Sequence, residues 1–380
     1  MAEPTIDTIG CDLGDTTSEL YVLKGGEKDG HRVPPVKTTR EAMTTVFKGL
    51  KPAHVVIEVG THSRWVSQLL KDLGHRPTVS NPRAVKLISE STKKTDKRDA
   101  ALLARLGRAD VALLSPIEHR GNQAQADLAV AKARDGLVRA RTRLVSQIRM
   151  MVKSFGERLG KCDAAHFTQT LPALPPILEP ALAPLYEVLE TLDKKIAEYD
   201  AKIDQLAKKY PEVELVTQPM GVGNLTGLVF VLTIEDKTRF KESRLVGPYL
   251  GLVPKNDKSG KIDKQLPITK AGDPFVRRLL VNSAAYILRK SSPASDLKDW
   301  GLHLKGRGGT APMKKAQVAV ARKLGVLMHR LWVTGEKYQP VGYAAKKQSP
   351  KTTPTPKKKA PTTMQGTKKQ KTKGGKKTAQ

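Results

Sequence analysis

The sequence predicts an α/β N-terminal domain, an α-helical coiled-coil region, a mainly α-helical C-terminal domain and a disordered basic tail. Three observations predict this order. Strand-like and helix-like segments alternate through residues 1–110, as they do in domains built on a mixed sheet. Apolar residues recur in steps of three and four within residues 111–215, which is typical of a coiled-coil seam. Residues 216–340 regain a globular composition, and residues 341–380 contain twelve lysines and no acidic residue.

The composition of the chain favours binding to a polyanion. Among 380 residues, 67 are Lys or Arg and 37 are Asp or Glu, which gives a net charge of +30. Residues 216–340 carry 22 basic and 9 acidic side chains, so much of this excess lies in the C-terminal domain and the tail. Such a surplus is the electrostatic signature of nucleic-acid binding. The tail should raise the affinity for nucleic acid without reading sequence, although a solubility tail is the simpler alternative.

Cysteine content and hydropathy exclude several other classes. Only Cys11 and Cys162 are present, which excludes a disulfide scaffold or a zinc site built mainly on cysteine. The apolar fraction of 39% excludes wholesale disorder. The N-terminus has no secretion signal, and the longest apolar run, 225–234, is shorter than the ~20 residues that span a bilayer. We therefore expect a cytoplasmic, nucleoid-associated protein with no membrane partner.

Elements of the N-terminal domain follow one another in a recognisable order. The segments TIDTIGCDL, SELYVLK and HRVPPVKTT read as three strands joined by short turns. A helix near 40–50, the strand HVVIEVG, a helix near 62–73 and the strand RPTVS come next. Helices from Pro82 to about 90 and from Thr95 to about Gly107 complete the domain. Ribonuclease-H-like domains of many nucleases, resolvases and transposases share this order.

Four acidic residues lie where such a fold could use them. Asp12 is at the end of the first strand, and Glu58 follows the buried-looking run HVVI. Asp96 and Asp99 are three residues apart at the start of a helix and therefore share one face. Carboxylates gathered at strand ends and a helix N-terminus would suit Mg²⁺, a hard cation that prefers oxygen ligands. Two such ions, roughly 3.5–4 Å apart, could stabilise the entering and leaving oxygens of a phosphodiester exchange.

Each of these acids also has an ordinary structural explanation. Asp12 could begin a turn, since DLGD is good turn chemistry. Asp96 and Asp99 could simply stabilise a helix N-terminus through the helix dipole. The joint occurrence of acids on three elements favours the metal site, because a cluster of carboxylates is costly without a cation.

Two long helices are predicted in residues 111–215. One covers about 131–161, where basic residues are in excess, and the other covers 185–208. Five prolines in LPALPPILEPALAP, 171–184, separate them and cannot continue a helix. The pair could be an intramolecular hairpin or a protruding hairpin that dimerises. A basic face of the first helix could bind nucleic acid or be a solvated surface; its residues are Arg134, Arg139, Arg141, Arg143 and Arg149.

The C-terminal domain contains two further candidate features. GVGNLTGL reads as a turn between two helices, in which Gly221 and Gly223 would let backbone amides approach a phosphate; a plain helix connection is the alternative. Near GDP, basic side chains read as phosphate contacts or as a basic helix face; they are Lys270, Arg277 and Arg278.

Several segments together resemble one family. CDLGDTTSELYV, VVIEVGTHSRW and KKTDKRDAALLARL are similar to the signature segments of DEDD-type transposases of the insertion sequence one-ten family, which are related to the Piv invertase. TQPMGVGNLTGLVFVLTIEDKTRF, VGPYLGLVPKNDKSGKIDKQLPITKAGDPFVRRLLVNSA and KKAQVAVARKLGVLMHRLW are similar to its C-terminal transposase domain. Together these segments cover most of residues 5–335, in the family's order.

The resemblance implies a function and a set of site residues. It implies a resolvase-like domain whose metal ligands are Asp12, Glu58, Asp96 and Asp99, and a serine nucleophile at Ser259. It also implies DNA and a structured guide RNA as partners, and a homo-oligomer, dimer or tetramer, whose active sites combine domains of different subunits.

Ser259 lies in PKNDKSGKIDK, which reads as a polar loop. A solvent-facing loop serine is the plain interpretation, since a hydroxyl is a poor nucleophile until it is activated. Lys255, Lys258 and Lys261 are close enough in sequence to hold a phosphate or lower that barrier.

The leading hypothesis is therefore a recombinase that uses metal-assisted phosphoryl transfer through a phosphoserine intermediate. A resolvase-like nuclease that uses water, with Ser259 incidental, is one alternative. A non-enzymatic nucleic-acid-binding protein is the other.

Overall fold

A computed structural model describes residues 6–88, 96–170, 176–259, 262–309 and 311–342. The chain divides into two compact units, Met1–Asp127 and Leu128–Gln380. Within the described ranges, none of the helices combines the length and the apolar character needed to cross a membrane.

The first unit is built on a five-stranded mixed sheet. Its strands are β1 (Thr8–Asp12), β2 (Thr17–Leu23), β3 (His31–Lys37), β4 (His54–Glu58) and β5 (Arg76–Ser80). Their spatial order is β3-β2-β1-β4-β5. The pairs β1–β2 and β2–β3 are antiparallel, whereas β1–β4 and β4–β5 are parallel. The prediction of an N-terminal α/β domain with a mixed sheet is confirmed.

Helices cover both faces of this sheet. They are α1 (Arg40–Lys48), α2 (Ser63–Asp72), α3 (Pro82–Ile88) and α4 (Asp96–Ala109). Successive residues of a strand point to opposite faces, so each strand contributes to two cores. Cys11, Leu20 and Ile57 belong to the core that also contains residues of α1 and α2. Tyr21 and Val56 lie on the opposite face, against residues of α4.

Cys11 is enclosed in the first of these cores. Its side chain is fully buried. Burial, with a smaller contribution from the neighbouring Asp12 carboxylate, raises the pKa of the Cys11 thiol to about 12. Only thiolate reacts readily with alkylating agents, so this thiol should be inert in the folded protein.

We expect iodoacetamide at pH 8 to modify Cys162, which is half-buried, and to leave Cys11 untouched until the protein is unfolded in urea. Mass spectrometry of the peptides would give both extents. Equal labelling of the two thiols in the native protein would contradict the packing of β1.

Two long helices begin the helical part of the chain: α5 (Asn122–Ser154) and α6 (Glu179–Lys209). Residues of the two helices share a core that includes Ile148 and Leu189. Arg134 pairs with Asp200 at 2.9 Å, and Arg141 with Asp193 at 2.6 Å, so the helices run antiparallel along this stretch. They therefore form an intramolecular hairpin, which was one of the two predicted arrangements.

Three details of the helical prediction are wrong. First, α5 ends at Ser154, short of the predicted 161. Second, apolar residues recur every seven positions along this helix, at Val130, Leu137, Leu144 and Met151, and this repeat predicts a buried seam. These four residues are only half-buried, whereas Val145, Ile148 and Val152 are fully buried.

Third, the Pro-rich segment is not wholly outside the helices. Because α6 starts at Glu179, it includes Pro180 and Pro184. Proline is tolerated in a first turn, where the N–H would have no partner, and Pro184 removes only one hydrogen bond just beyond that turn.

The remaining elements are mainly helical, as predicted. They are α7 (Glu212–Thr217), α8 (Asn224–Ile234), α9 (Val246–Tyr249), β6 (Pro254–Ser259), β7 (Ile262–Ile268), α10 (Pro274–Ile287), α11 (Asp296–Gly306) and α12 (Pro312–Thr334). Residues 226–234 of α8 are all buried, because the helix is covered by α6, α7 and α10. The apolar run that is too short for a membrane is thus the central helix of this domain.

Candidate active site

Asp12 and Glu58 end two neighbouring parallel strands. In the β1–β4 ladder, the last recorded pair is Cys11 with Ile57, and the two acids are the next residues of each strand. Adjacent strands lie about 4.8 Å apart. Both side chains are half-buried. The structure therefore places these two predicted residues side by side at one end of the sheet.

Both carboxylates lie on the face of the sheet that α4 covers. A Cβ built on Gly10 would lie 1.9 Å from the carbonyl oxygen of Ala100, so α4 crosses directly over Gly10. Asp12 is two residues further along the strand and shares this face. A Cβ on Gly107 would likewise meet the side chain of Val56, two residues before Glu58.

The N-terminus of α4 is directed towards the same end of the sheet. Near its C-terminus, the Arg108 guanidinium donates hydrogen bonds to the carbonyl oxygens of Leu23 and Lys24, at the end of β2. Leu23 pairs with Thr8, the first residue of β1. Since Ala100 lies over the middle of β1, the helix runs antiparallel to that strand, and its first turn lies towards the end where Asp12 is found.

Asp96 and Asp99 form part of that first turn. Asp99 is half-buried, and the Asp96 side chain lies outside the described residues. Backbone topology thus brings the predicted acids of three elements to one end of the sheet.

Glu19 is an acidic residue at this end that the sequence analysis missed. It pairs directly with Asp12 in the β1–β2 ladder and is half-buried. Directly opposed residues of antiparallel strands have Cβ atoms about 4.5–5.5 Å apart, and like charges there are destabilising. Tyr21, two residues along the same strand, packs on α4 residues, so Glu19 is on the α4 face as well. Alternation in SELYVLK could have indicated the face, but not the opposite partner.

The residues present fit a hard divalent cation. Oxygen ligands from carboxylates are what Mg²⁺ prefers, and a cation held between the opposed Asp12 and Glu19 would offset the repulsion between their charges. Among the described side chains, no group of three or more metal-ligating residues is close enough together to hold an ion; Asp96 is not among those side chains.

His62 is a second residue that the sequence analysis did not single out. It precedes α2 and follows Glu58 by four residues. The indole N–H of Trp65 donates to its Nδ1 at 3.0 Å. Its Nε2 is buried, has no hydrogen-bond partner among the described residues and lies 3.6 Å from Asp15 Oδ1.

The segment around Ser259 is a β-hairpin rather than the predicted polar loop. Ser259 is the last residue of β6 and pairs with Ile262 of β7. Backbone hydrogen bonds between β6 and β7 order this segment as a pair of strands. Its content of Lys, Asn and Asp side chains did not indicate strands. The Ser259 and Lys258 side chains, and all of Lys261, lie outside the described residues, whereas Lys255 is exposed.

Two of the predicted basic contacts are engaged within the second unit. Arg141 pairs with Asp193, and its side chain is only 11% exposed, so its charge is largely used within the hairpin. Arg277 donates to the carbonyl oxygens of Leu250 at 3.0 Å and Ala271 at 2.6 Å.

Arg278 and Lys270, which were also predicted to contact phosphate, are more exposed. Arg278 is 44% exposed and pairs with Asp135 of α5 at 2.5 Å. Lys270 is exposed, and its φ of 54° places it in a tight turn before α10.

The glycine turn between α7 and α8 supports the simpler of its two interpretations. Gly221 has a φ of +87°, and a Cβ there would lie 2.9 Å from the Tyr286 ring and 3.2 Å from the Ser283 carbonyl oxygen. Close packing against α10 therefore requires glycine at this position. A phosphate contact is not needed to explain it.

Comparisons with known proteins agree with this arrangement. A family model for the transposase of IS110-type elements with a DEDD motif matches residues 9–156. A second model, described as "Transposase IS116/IS110/IS902 family", matches residues 213–298. The chain belongs to this family of transposases.

Named relatives extend over most of the chain. It is 28% identical over 334 residues to the transposase for insertion sequence element IS1111A of Coxiella burnetii, covering 86% of this chain and 90% of that protein. It is 26% identical over 303 residues to the transposase for insertion sequence element IS1328 of Yersinia enterocolitica, covering 78% and 89%. The predicted family and the assignment as an enzyme, a DNA transposase, are confirmed. Divalent metal use follows from the DEDD family.

Proposed function

We propose that this IS110-family transposase exchanges DNA strands by phosphoryl transfer through a covalent phosphoserine intermediate at Ser259. The first unit would be a resolvase-like domain whose metal ligands are Asp12, Glu58, Asp96 and Asp99. The observation that supports this best is the position of Asp12 and Glu58 at the ends of adjacent strands, on the face covered by α4. Carboxylates gathered at strand ends supply the oxygen ligands that a hard cation prefers.

When bound, Mg²⁺ would supply Lewis acidity that polarises the scissile phosphate and offsets charge on the entering and leaving oxygens. The carboxylates of this chain would hold and orient the ion, and Glu19 would add negative charge beside Asp12. The Ser259 hydroxyl would lose its proton as its oxygen bonds to phosphorus, and the leaving DNA oxygen would gain one.

The covalent step would conserve the phosphodiester. One P–O bond forms as another breaks, so the strand can be rejoined to a different end without an external energy source. Hydrolysis by water would lose this property. Lys255, Lys258 and Lys261, on or beside the β6–β7 hairpin, would hold the phosphate through charge-assisted hydrogen bonds.

Basic residues elsewhere would position the nucleic acid. Lys270 and Arg278 are exposed enough to contact phosphates, while Arg141 and Arg277 would act mainly through the structure they stabilise. The partners would be DNA and a structured guide RNA, and the working form a homo-oligomer. The charge of the C-terminal unit and of the tail supports binding of both nucleic acids.

The test is capture of the covalent intermediate. Incubation with donor DNA and Mg²⁺ followed by denaturation should leave a DNA adduct on a peptide that contains Ser259, detectable by gel shift and mass spectrometry. Ser259→Ala should abolish both the adduct and strand exchange. Ser291→Ala, at an exposed position in the same unit, is the matched control and should retain the adduct. Cleavage by Ser259→Ala at the wild-type rate would instead support the nuclease that uses water.

A further inference from the structure

The first unit contains a cleft beside edge strand β5, separate from the carboxylate cluster. It lies between α2, β5 and the segment that leads into α5, and has a volume of about 500 Å³. Pockets of 300–1,000 Å³ are typical of small-ligand sites, so this cleft could receive one phosphate with part of its nucleotide. Its charged and titratable lining consists of Arg64, Lys71, Glu118, His119 and Arg120.

Positive charge dominates the cleft. Arg64 donates to two neutral oxygens, the backbone carbonyl of Arg120 and the side-chain amide of Asn122. Within the described part of the chain, neither Arg64 nor Lys71 forms an ion pair with a carboxylate, and Glu118, which lines the same cleft, pairs with no cation. An anionic ligand would supply the negative charge that Arg64 and Lys71 lack here.

The pKa of His119 responds to the positive charges of this cleft. Its Nε2 is 3.1 Å from the Ser63 hydroxyl, which itself donates to the Gly60 carbonyl; the ring N–H therefore donates to Ser63. The pKa of His119 is lowered, first by burial and then by the positive charges of Arg64, Arg120 and Lys71. All three cations thus act on one imidazole.

We propose that this cleft binds a phosphodiester group of a nucleic acid strand, with Arg64 and Lys71 as its principal contacts. The choice of a nucleic acid as the source of the phosphate rests on the transposase function. Arginine offers two parallel N–H donors to a phosphate, and lysine adds a point charge.

Binding of phosphate should change the titration of His119. A bound anion offsets the fields of the three cations, so the pKa of His119 should rise towards its ordinary value. Glu118, the acidic residue of the lining, is present both with and without bound phosphate. It therefore does not account for a change in the pKa of His119 on binding. By reciprocal linkage, the phosphate should bind more weakly as the pH rises through the His119 pKa.

The experiment follows histidine resonances of the full-length protein labelled with ¹³C at its eight histidines. His119→Gln assigns the signal. The probes are a single-stranded DNA dodecamer, an RNA dodecamer of equivalent sequence, and inorganic phosphate. We expect DNA, RNA or both to shift the His119 resonance and to raise its titration midpoint.

Two variants and a control locate the contact. Lys71→Gln alters an exposed side chain and should weaken the His119 response without affecting folding; the log–log salt dependence of affinity should decrease by about 0.7 for one lost phosphate contact. Arg64→Gln should abolish the response. Arg32→Gln removes an equal charge from β3, the opposite edge of the sheet, and should change neither quantity.

A His119 signal that shifts with neither oligonucleotide, although both bind the protein, would overturn the proposal. A shift produced by inorganic phosphate but by neither oligonucleotide would contradict the proposal that the phosphate belongs to a nucleic acid. The proposed chemistry can be judged separately, because Asp12→Asn should leave the His119 response intact even though strand exchange is lost.

Discussion

Asp12→Asn is expected to reduce strand exchange at least about a thousandfold. The substitution keeps the shape of the side chain at the end of β1 and removes one negative charge from the cluster with Glu19 and Glu58. A bound divalent ion contributes several kcal/mol to transition-state stabilisation, and each 1.4 kcal/mol corresponds to a tenfold change in rate. Strand exchange on a labelled donor DNA would measure the loss.

A ligand role also predicts a change in metal-dependent stability. Mg²⁺ should raise the Tm of the wild-type protein, since a ligand that binds only the folded state stabilises it, and this increase should be smaller in Asp12→Asn. Asp29→Asn is the matched control, because its side chain is 92% exposed in the turn between β2 and β3, away from the cluster. Wild-type exchange by Asp12→Asn would exclude Asp12 as a metal ligand.

Gly10→Ala is expected to destabilise the first unit and to remove activity together. The new methyl group would lie 1.9 Å from the carbonyl oxygen of Ala100 and 2.6 Å from the amide nitrogen of Ala104. Both are backbone atoms of α4, so no side-chain rotation can relieve the contact. Overpacking of a core commonly costs 1–3 kcal/mol, and we expect about 3 kcal/mol or more here. Urea unfolding would measure it.

The activity should fall because α4 carries Asp96 and Asp99. A helix moved away from β1 takes these carboxylates away from Asp12. Gly60→Ala is a matched control near the same end of the sheet, since a Cβ there would have no atom within 4 Å, and it should leave stability and activity unchanged. Wild-type stability of Gly10→Ala would mean that α4 does not pack directly on β1.

Much of the first unit could be predicted from the sequence because its signals are local. The run of Val55, Val56 and Ile57 predicts a strand buried on both faces, and all three are fully buried. A charged residue directly after such a run lies at a strand end, which is why Glu58 could be identified. The same reasoning identified Asp12.

What the sequence could not provide depends on pairing between distant segments. The opposition of Glu19 and Asp12 requires the register of β1 and β2, and the ion pair of Arg141 with Asp193 requires the register of α5 and α6. The β6–β7 hairpin was missed because its charged, glycine-containing sequence lacks the apolar alternation that normally indicates strands. In each case, long-range geometry rather than local propensity decides the structure.

The two outer strands of the sheet are both protected. On β3, Pro34 and Pro35 lie beside the register shift in its pairing with β2, and neither offers a backbone N–H. On β5, Val79 forms a bridge with Ile117. Protected edges prevent one copy from adding its strands to another, the route by which sheets polymerise into fibrils. The sheet edges should therefore resist strand-to-strand aggregation when many copies of the enzyme are bound along one DNA molecule.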